Sequence, residues 1–157
     1  MVADLIGALT CAAAGAAAPA HVETVVTDTP IEASPNEVWA AIRDPYAVAT
    51  RLVPGMVVKV GREPGDVRRV TFANGFVVTE RIIKIDDKAR CLAYSAFGGK
   101  STYHLATMQV LANGRRKSRV VWRTDFLPAE LRPFIEQNMH AGSEIMKRHL
   151  ESVHRPR

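Results

Sequence analysis

The sequence predicts an α+β domain in which a curved antiparallel sheet of about seven strands wraps around one long C-terminal helix. Three observations lead to this prediction. Six strand-like segments follow one another between residues 56 and 127, and turn signals rich in Gly, Asn, Asp and Pro separate them. One further strand and two short helical segments precede them, and a single long amphipathic segment follows them. Sequential hairpins form antiparallel sheets, and the helix has to bury its apolar stripe against that sheet.

The elements before the hairpins are predicted from local signals. Residues 22–32 are predicted to form the first strand. The stretch Ser34 to Glu37 matches a capping box with proline at the first helical position, so a helix begins there and ends near Asp44-Pro45. A second short helical segment is predicted from Tyr46 to Leu52, before the turn signal Pro54-Gly55. Both helices therefore lie between the first and second strands.

The remaining elements are six strands and the long helix. The strands are predicted at about 56–62, 66–72, 76–86, 90–97, 102–112 and 117–127. The helix is predicted at roughly residues 130–152, with Pro133 tolerated only because it falls in the first turn. Its apolar stripe consists of Ile135, Met139, Gly142, Met146 and Leu150.

The hairpin formed by the third and fourth strands predicts an inward-facing charge pair. A three-residue loop that ends in a left-handed Gly75 sets Arg68 opposite Glu80 and Phe72 opposite Phe76. A two-residue loop would set Arg68 against Arg81 instead, and like charges directly opposite each other are unfavourable. A charge pair that faces inward is costly unless the interior is polar or wet. The sequence therefore predicts a cavity rather than a solid core.

Composition and motifs restrict the classes of function. The chain has 157 residues and a formal charge of +5, and its basic residues are scattered except for the loop Arg115-Arg116-Lys117. They do not alternate with aromatic residues, so we expect no nucleic-acid partner; the loop is interpreted as a solvated turn, with protein or anionic-membrane docking as the alternative. No segment is long and apolar enough for stable membrane insertion. Because no histidine pairs at a metal-ligand spacing and no nucleotide motif occurs, we expect no metal and no cofactor.

The N-terminal segment and the two cysteines bear on the cellular compartment. Cys11 and Cys91 match no metal spacing and no disulfide framework, which favours a reduced, cytoplasmic protein. Residues 1–20 are rich in alanine and are predicted to be an extension outside the core, followed by a single domain at residues 21–154. Because Ala18-Pro19-Ala20 resembles a cleavage site, export through this segment is the alternative.

The order of elements and several motifs together resemble the START-like superfamily, also called SRPBCC or helix-grip proteins. The motifs are SPNEVW (34–39), DPYAVATRLVPG (44–55), PGDVRRV (64–70), ERIIKIDD (80–87), YHLAT (103–107), VVWRTDFLP (120–128) and GSEIMKRHLE (142–151). The resemblance covers about residues 30–152, and within the superfamily the chain is similar to the bacterial polyketide cyclase/dehydrase and lipid-transport-like branch. It implies that a small hydrophobic or amphipathic molecule binds between the sheet and the C-terminal helix.

The resemblance also implies which residues form the site. In the plant abscisic-acid receptors of this superfamily, residues that match Arg68, Glu80 and Tyr103 help line the pocket, and here they are expected to form its polar end. Since Tyr103 is expected to face inward, strand alternation would point His104 outward. The full expected ligand-binding set is Arg68, Val70, Phe76, Val78, Glu80, Tyr94, Ala96, Tyr103, Leu105, Trp122, Met139, Gly142 and Met146.

Several alternatives stay open at this stage. The sequence departs from the hormone receptors because a short turn replaces their gate loop, so no hormone receptor is predicted. A cyclase, aromatase or dehydratase that uses acid–base residues is the alternative to a binding protein, with Glu80, Tyr103 and Arg68 as candidate catalytic residues. An ion pair with a purely structural role is equally compatible with Arg68 and Glu80. The identity of the ligand and the formation of a homodimer are left open.

Overall fold

Seven antiparallel strands form one sheet in the computed structural model, which describes Cys11, Pro19 and residues 21–155. Their bounds are β1 Glu23–Ile31, β2 Val57–Glu63, β3 Val67–Phe72, β4 Val77–Asp86, β5 Cys91–Phe97, β6 Tyr103–Ala112 and β7 Ser118–Leu127. The spatial order is β1-β7-β6-β5-β4-β3-β2. The first strand therefore pairs with the last. Every other pair of neighbouring strands is a hairpin, and these sequential hairpins were predicted from the sequence.

Three helices accompany the sheet. The first, α1 (Pro35–Ile42), begins at the predicted capping box, in which the Glu37 backbone N–H donates to Ser34 Oγ and the Ser34 backbone N–H donates to Glu37 Oε2. The second, α2 (Val48–Arg51), is a single turn and is shorter than the predicted segment. The third, α3 (Arg132–Val153), follows a 3₁₀ turn at Ala129–Leu131 and carries proline in its first turn. The predicted α+β architecture is confirmed.

The β3–β4 hairpin has the predicted register. Arg68 pairs with Glu80 and Val70 pairs with Val78. The Phe72 backbone N–H donates to the Phe76 carbonyl at 2.8 Å, and Gly75 has a φ of +86°. The three-residue loop is therefore confirmed, and the left-handed conformation at its last position explains why glycine stands there.

One face of the curved sheet, here called the concave face, packs against α3 and the two short helices. All five residues of the predicted α3 stripe are buried. The largest apolar cluster joins α1 and α3 to this face, and Trp39 of α1 is a buried member of it. The Trp39 indole N–H donates to Asp87 Oδ1 at 2.9 Å, which anchors α1 to the β4–β5 turn. The opposite face is called the convex face below.

The structure contradicts the prediction about the cysteines. It joins Cys11 to Cys91 by a disulfide, and Cys91 is fully buried at the start of β5. The sequence showed only two cysteines separated by 80 residues, and pairing at such a distance depends on the fold. The cytoplasmic assignment loses the support that it took from unpaired thiols.

The structure does not test the other predictions about the ends of the chain. Apart from Cys11 and Pro19, the predicted extension at residues 1–20 lies outside the described residues, and the boundary of a single domain at 21–154 stays a prediction. Within the described residues, no helix is long and apolar enough to cross a membrane.

Candidate functional site

A cavity of about 70 Å³ lies between the concave face and α3. Its walls are mostly apolar and include three methionines, Met56, Met108 and Met146. The other lining residues are Ile42, Val48, Leu52, Val53, Val57, Arg68, Val70, Phe72, Glu80, Leu92, Tyr94, Trp122, Asn138 and Gly142. Ligand pockets in proteins are generally about 300–1,000 Å³, so the cavity is contracted and a ligand has to displace side chains.

The charge pair lies at this cavity and is almost completely removed from water. Arg68 is 4% exposed and Glu80 is 9% exposed. Arg68 Nε and Nη2 lie 2.7 Å and 2.6 Å from Glu80 Oε2, and Nη1 donates to the Pro45 carbonyl in the segment between α1 and α2. The positive and negative charges balance, and both ends of the guanidinium are occupied. The pair therefore connects the β3–β4 hairpin to the segment between the short helices.

Tyr94 extends this polar cluster along β5. Its ring centroid lies 5.0 Å from Arg68 Cζ, so the guanidinium contacts the aromatic ring. Burial raises the pKa of the Tyr94 hydroxyl, and the nearby Glu80 charge raises it further, against weaker opposing effects of Arg68 and the Trp122 indole. Tyr94 therefore stays protonated at neutral pH and is a neutral hydrogen-bond donor.

Trp122 lies under α3 at the point where that helix carries Gly142. An ideal Cβ built on Gly142 would lie 3.0 Å from Trp122 Cζ3 and 3.6 Å from Met56 Sδ. Glycine is therefore required for the helix to approach the indole ring this closely. The Trp122 indole nitrogen is buried and has no hydrogen-bond partner of normal geometry among the described residues.

The structure reverses the predicted orientation of β6. Its buried residues are Ala106, Met108 and Val110, and Met108 lines the cavity, so the even-numbered positions face inward. Tyr103 and Leu105 therefore lie on the convex face, and their predicted place in the pocket is wrong. The sequence is ambiguous here because Leu105 and Leu111 are apolar at odd positions too, and a shift of one residue exchanges the two faces.

His104 takes the inward position that was expected for Tyr103. Its ring centroid lies 6.2 Å from that of Tyr94, and its Nδ1 accepts a hydrogen bond from the Ala96 backbone N–H at 3.0 Å. Burial lowers the pKa of His104, and the Glu80 charge opposes that effect. His104 is therefore a neutral imidazole beside the polar cluster, and the prediction that it points outward is wrong.

The structure divides the expected residues into two groups. Seven of them line the cavity, namely Arg68, Val70, Glu80, Tyr94, Trp122, Gly142 and Met146. Val78 packs against the main core, Ala96 pairs with Glu80 on the neighbouring strand, and Met139 lies in a second cluster with Phe126.

Phe76 was also expected to line the pocket, but it is 47% exposed. Its ring contacts Phe72, which does line the cavity, and Phe134 at the start of α3. It therefore lies beside the cavity and is absent from the wall.

Sequence reasoning missed several lining residues. Met56 was predicted at the start of a strand but lies in a turn, and Asn138 lies at the edge of the helical stripe. Met108 was overlooked because the orientation of β6 was reversed. No group of three or more metal-binding side chains occurs in the part of the chain that the structure describes.

A second depression, of about 380 Å³, lies near the C-terminal end of α3. Its lining is largely charged and includes Glu37, Arg116, Glu151 and His154. Glu151 accepts hydrogen bonds from Lys147 and from the Glu32 backbone, so its charge is already compensated. With few apolar walls, this depression is less suited to a hydrophobic ligand than the cavity under α3.

Comparison with known proteins supports the fold and identifies the family. An uncharacterised protein from Bacillus thuringiensis is 21% identical and superimposes with a TM-score of 0.75, over 82% of this chain and 98% of its own. Norcoclaurine synthase from Thalictrum flavum is 18% identical, with a TM-score of 0.69 over 85% of this chain and 96% of its own. An aromatase/cyclase from a Streptomyces species is 18% identical, with a TM-score of 0.69 over 83% and 94%.

Identities this low establish the fold alone, and no curated protein matches the chain significantly. The sequence pattern of the family described as "Polyketide cyclase / dehydrase and lipid transport" matches residues 20–152, which is most of the chain. The chain therefore belongs to the polyketide cyclase/dehydrase and lipid transport family of START-like helix-grip proteins.

Proposed function

We propose that this protein binds a small hydrophobic or amphipathic molecule in the cavity between the sheet and α3, as a carrier of the lipid-transport-like type. The observation that carries the proposal is a charge-balanced polar cluster of Arg68, Glu80 and Tyr94 within an otherwise apolar cavity. Ligand sites typically combine apolar walls with a few convergent polar groups. The cavity is small as it stands, and its three methionines are the side chains best suited to move aside.

Native mass spectrometry of the purified protein, followed by denaturing extraction, tests this proposal. We expect a co-purified hydrophobic molecule in the wild type and its loss in Val70→Phe, because the larger ring fills the cavity that Val70 lines. The matched control is Val26→Phe, at a residue of β1 that is 48% exposed, and it should retain the molecule. Equal retention in both variants would contradict the proposal, as would a wild type that carries nothing and binds no added hydrophobic probe.

The second candidate function is a polyketide cyclase, aromatase or dehydratase activity. It is favoured by the presence of a carboxylate, Glu80, and a protonated hydroxyl, Tyr94, at the same cavity, since acid–base chemistry requires an acceptor and a donor. The structural likeness to an aromatase/cyclase and to norcoclaurine synthase is compatible with it. Tyr94 replaces Tyr103 as the candidate donor because Tyr103 lies on the convex face.

Turnover of a reactive poly-β-ketone tests this activity. Glu80→Gln and Tyr94→Phe should each lower kcat by about 100-fold if they transfer protons. Tyr103→Phe serves as the control and should leave kcat unchanged. Turnover that survives both changes in the cavity would exclude the enzyme and leave the binding function.

A further inference from the structure

The cavity contains a hydrogen-bond donor that the described part of the protein leaves unused. Trp122 Nε1 is buried and has no acceptor of normal geometry among the described residues. A buried donor without a partner keeps its full desolvation penalty, so such groups in native proteins call for an explanation. The other tryptophan, Trp39, shows the usual arrangement, with its indole N–H bonded to Asp87.

A second neutral donor lies next to it. The Trp122 N–H lies close enough to the Tyr94 oxygen to stabilise the ionised hydroxyl and thereby to lower its pKa. The two groups do not, however, form a hydrogen bond of normal geometry. Burial nevertheless keeps the Tyr94 hydroxyl protonated. An N–H and an O–H that adjoin one cavity can both donate to a single acceptor atom that enters it. A carbonyl oxygen has two lone pairs and suits this arrangement.

The charges of the site argue against an anionic ligand. Arg68 is the cation to which a carboxylate ligand would bind, but its guanidinium is already bonded to Glu80 Oε2 and to the Pro45 carbonyl. A carboxylate ligand would have to displace Glu80 or lie beside it, and two adjacent carboxylates in a buried site repel each other. The site therefore favours an uncharged molecule.

We propose that the ligand is an uncharged hydrophobic molecule whose carbonyl oxygen accepts hydrogen bonds from the Trp122 indole N–H and the Tyr94 hydroxyl. This inference rests on the proposed binding function and specifies the class of ligand. Arg68 and Glu80 then hold the Tyr94 ring in place rather than contacting the carbonyl, since the guanidinium lies against that ring.

Three probes of similar size separate the alternatives: acetophenone, which has a carbonyl; ethylbenzene, which has no acceptor; and benzoate, which is an anion. The chain has two tryptophans, so a ¹H–¹⁵N spectrum shows two indole N–H resonances, and Trp39 serves as the internal control. We expect acetophenone to shift the Trp122 proton downfield and to leave the Trp39 proton in place. Ethylbenzene should bind without a downfield shift, and benzoate should bind more weakly than acetophenone.

Variants provide a second readout that does not depend on the shift. Trp122→Phe should weaken acetophenone binding about 5-fold more than ethylbenzene binding, as expected for the loss of one hydrogen bond. Tyr94→Phe should act in the same direction, whereas Tyr103→Phe should change neither affinity. Because the wild-type shifts need no substitution, the test survives a variant that fails to fold.

The outcomes distinguish this inference from the proposed function. If acetophenone and ethylbenzene act alike on the Trp122 proton and Trp122→Phe weakens both equally, the carbonyl inference is wrong and the hydrophobic cavity stands. Tightest binding by benzoate would also overturn the inference and would assign Arg68 as the anchor. If no probe perturbs Trp122 and none binds, the proposed function fails as well.

Discussion

Arg68 and Glu80 form a buried ion pair whose two halves depend on each other. The transfer of two charges out of water is costly, and their attraction offsets this cost only while both are present and hydrogen-bonded. Here the contacts are short, and the Pro45 carbonyl accepts a further hydrogen bond from the guanidinium. The ion pair therefore adds little to the stability of the fold compared with an apolar pair at the same positions. The loss of either member, however, leaves a buried charge without compensation.

A double-mutant cycle tests this dependence. Arg68→Met and Glu80→Leu should each lower the free energy of unfolding by about 3–5 kcal/mol, and the double variant should lose much less than the sum. The matched control is the exposed pair Arg69–Glu63, at 2.9 Å between β3 and the neighbouring strand β2, where single changes should cost less than about 1 kcal/mol. Urea denaturation of the wild type and of these variants gives the free energies of unfolding, and additive losses at the buried pair would contradict the interpretation.

His104 makes the stability of the protein depend on pH. Its pKa is lower in the folded state than the ordinary 6.5, mainly because it is buried. Below about pH 6.5 the unfolded chain therefore binds a proton that the folded chain resists, and the free energy of unfolding falls as the pH falls. Protonation of Nδ1 would also break the hydrogen bond from Ala96.

Denaturation between about pH 8 and pH 5 measures this effect, since the carboxylates titrate mainly below that window. We expect His104→Gln to remove part of the loss of stability on acidification. His140→Gln, on the exposed face of α3, is the control and should leave the slope unchanged. The same slope in the wild type and in His104→Gln would show that the imidazole is free to take up a proton in the folded state.

At the scale of elements, the contact between α3 and β7 determines the shape of the cavity. The helix carries glycine at the position that faces the Trp122 ring, and an added Cβ would meet that ring at 3.0 Å. Glycine within a helix costs roughly 1 kcal/mol relative to alanine. The helix therefore gives up intrinsic stability in exchange for a close approach to the indole.

Gly142→Ala tests this contact. Helix propensity alone would raise the free energy of unfolding by about 1 kcal/mol, but the displaced indole should cancel most of that gain. The indole N–H resonance of Trp122 should move, and acetophenone should bind several-fold more weakly. Ala141→Gly at the exposed neighbouring position is the reverse control, which should destabilise the helix without moving that resonance. A full gain in stability with an unchanged Trp122 resonance would contradict the argument.

For the whole molecule, the Cys11–Cys91 disulfide links Cys11 to the start of β5. The two residues are separated by 80 positions, and a crosslink across a long loop restricts the unfolded chain. By the chain-entropy argument, such a bond stabilises the folded state by at most about 5 kcal/mol.

Thiol titration of the protein unfolded without reductant tests the bond. We expect no free thiol in the wild type and one in Cys11→Ser, since the chain contains two cysteines. Reductant should lower the melting temperature of the wild type and leave that of Cys11→Ser unchanged. Two free thiols in the unreduced wild type would show that the cysteines are unpaired and would restore the argument for a reducing compartment.

The order of elements, the capping box at Ser34, the register of the β3–β4 hairpin and the stripe of α3 were all determined by the sequence itself. Each depends on neighbours within a few residues or on a simple period, and for that reason local physical chemistry is sufficient to predict it. The inward-facing charge pair followed from the same register. The orientation of β6, the unpaired indole of Trp122 and the pairing of the cysteines were decided only by the tertiary structure. Both faces of β6 carry apolar residues, and the other two features depend on residues that lie far apart in the chain, so only the tertiary fold brings those residues together.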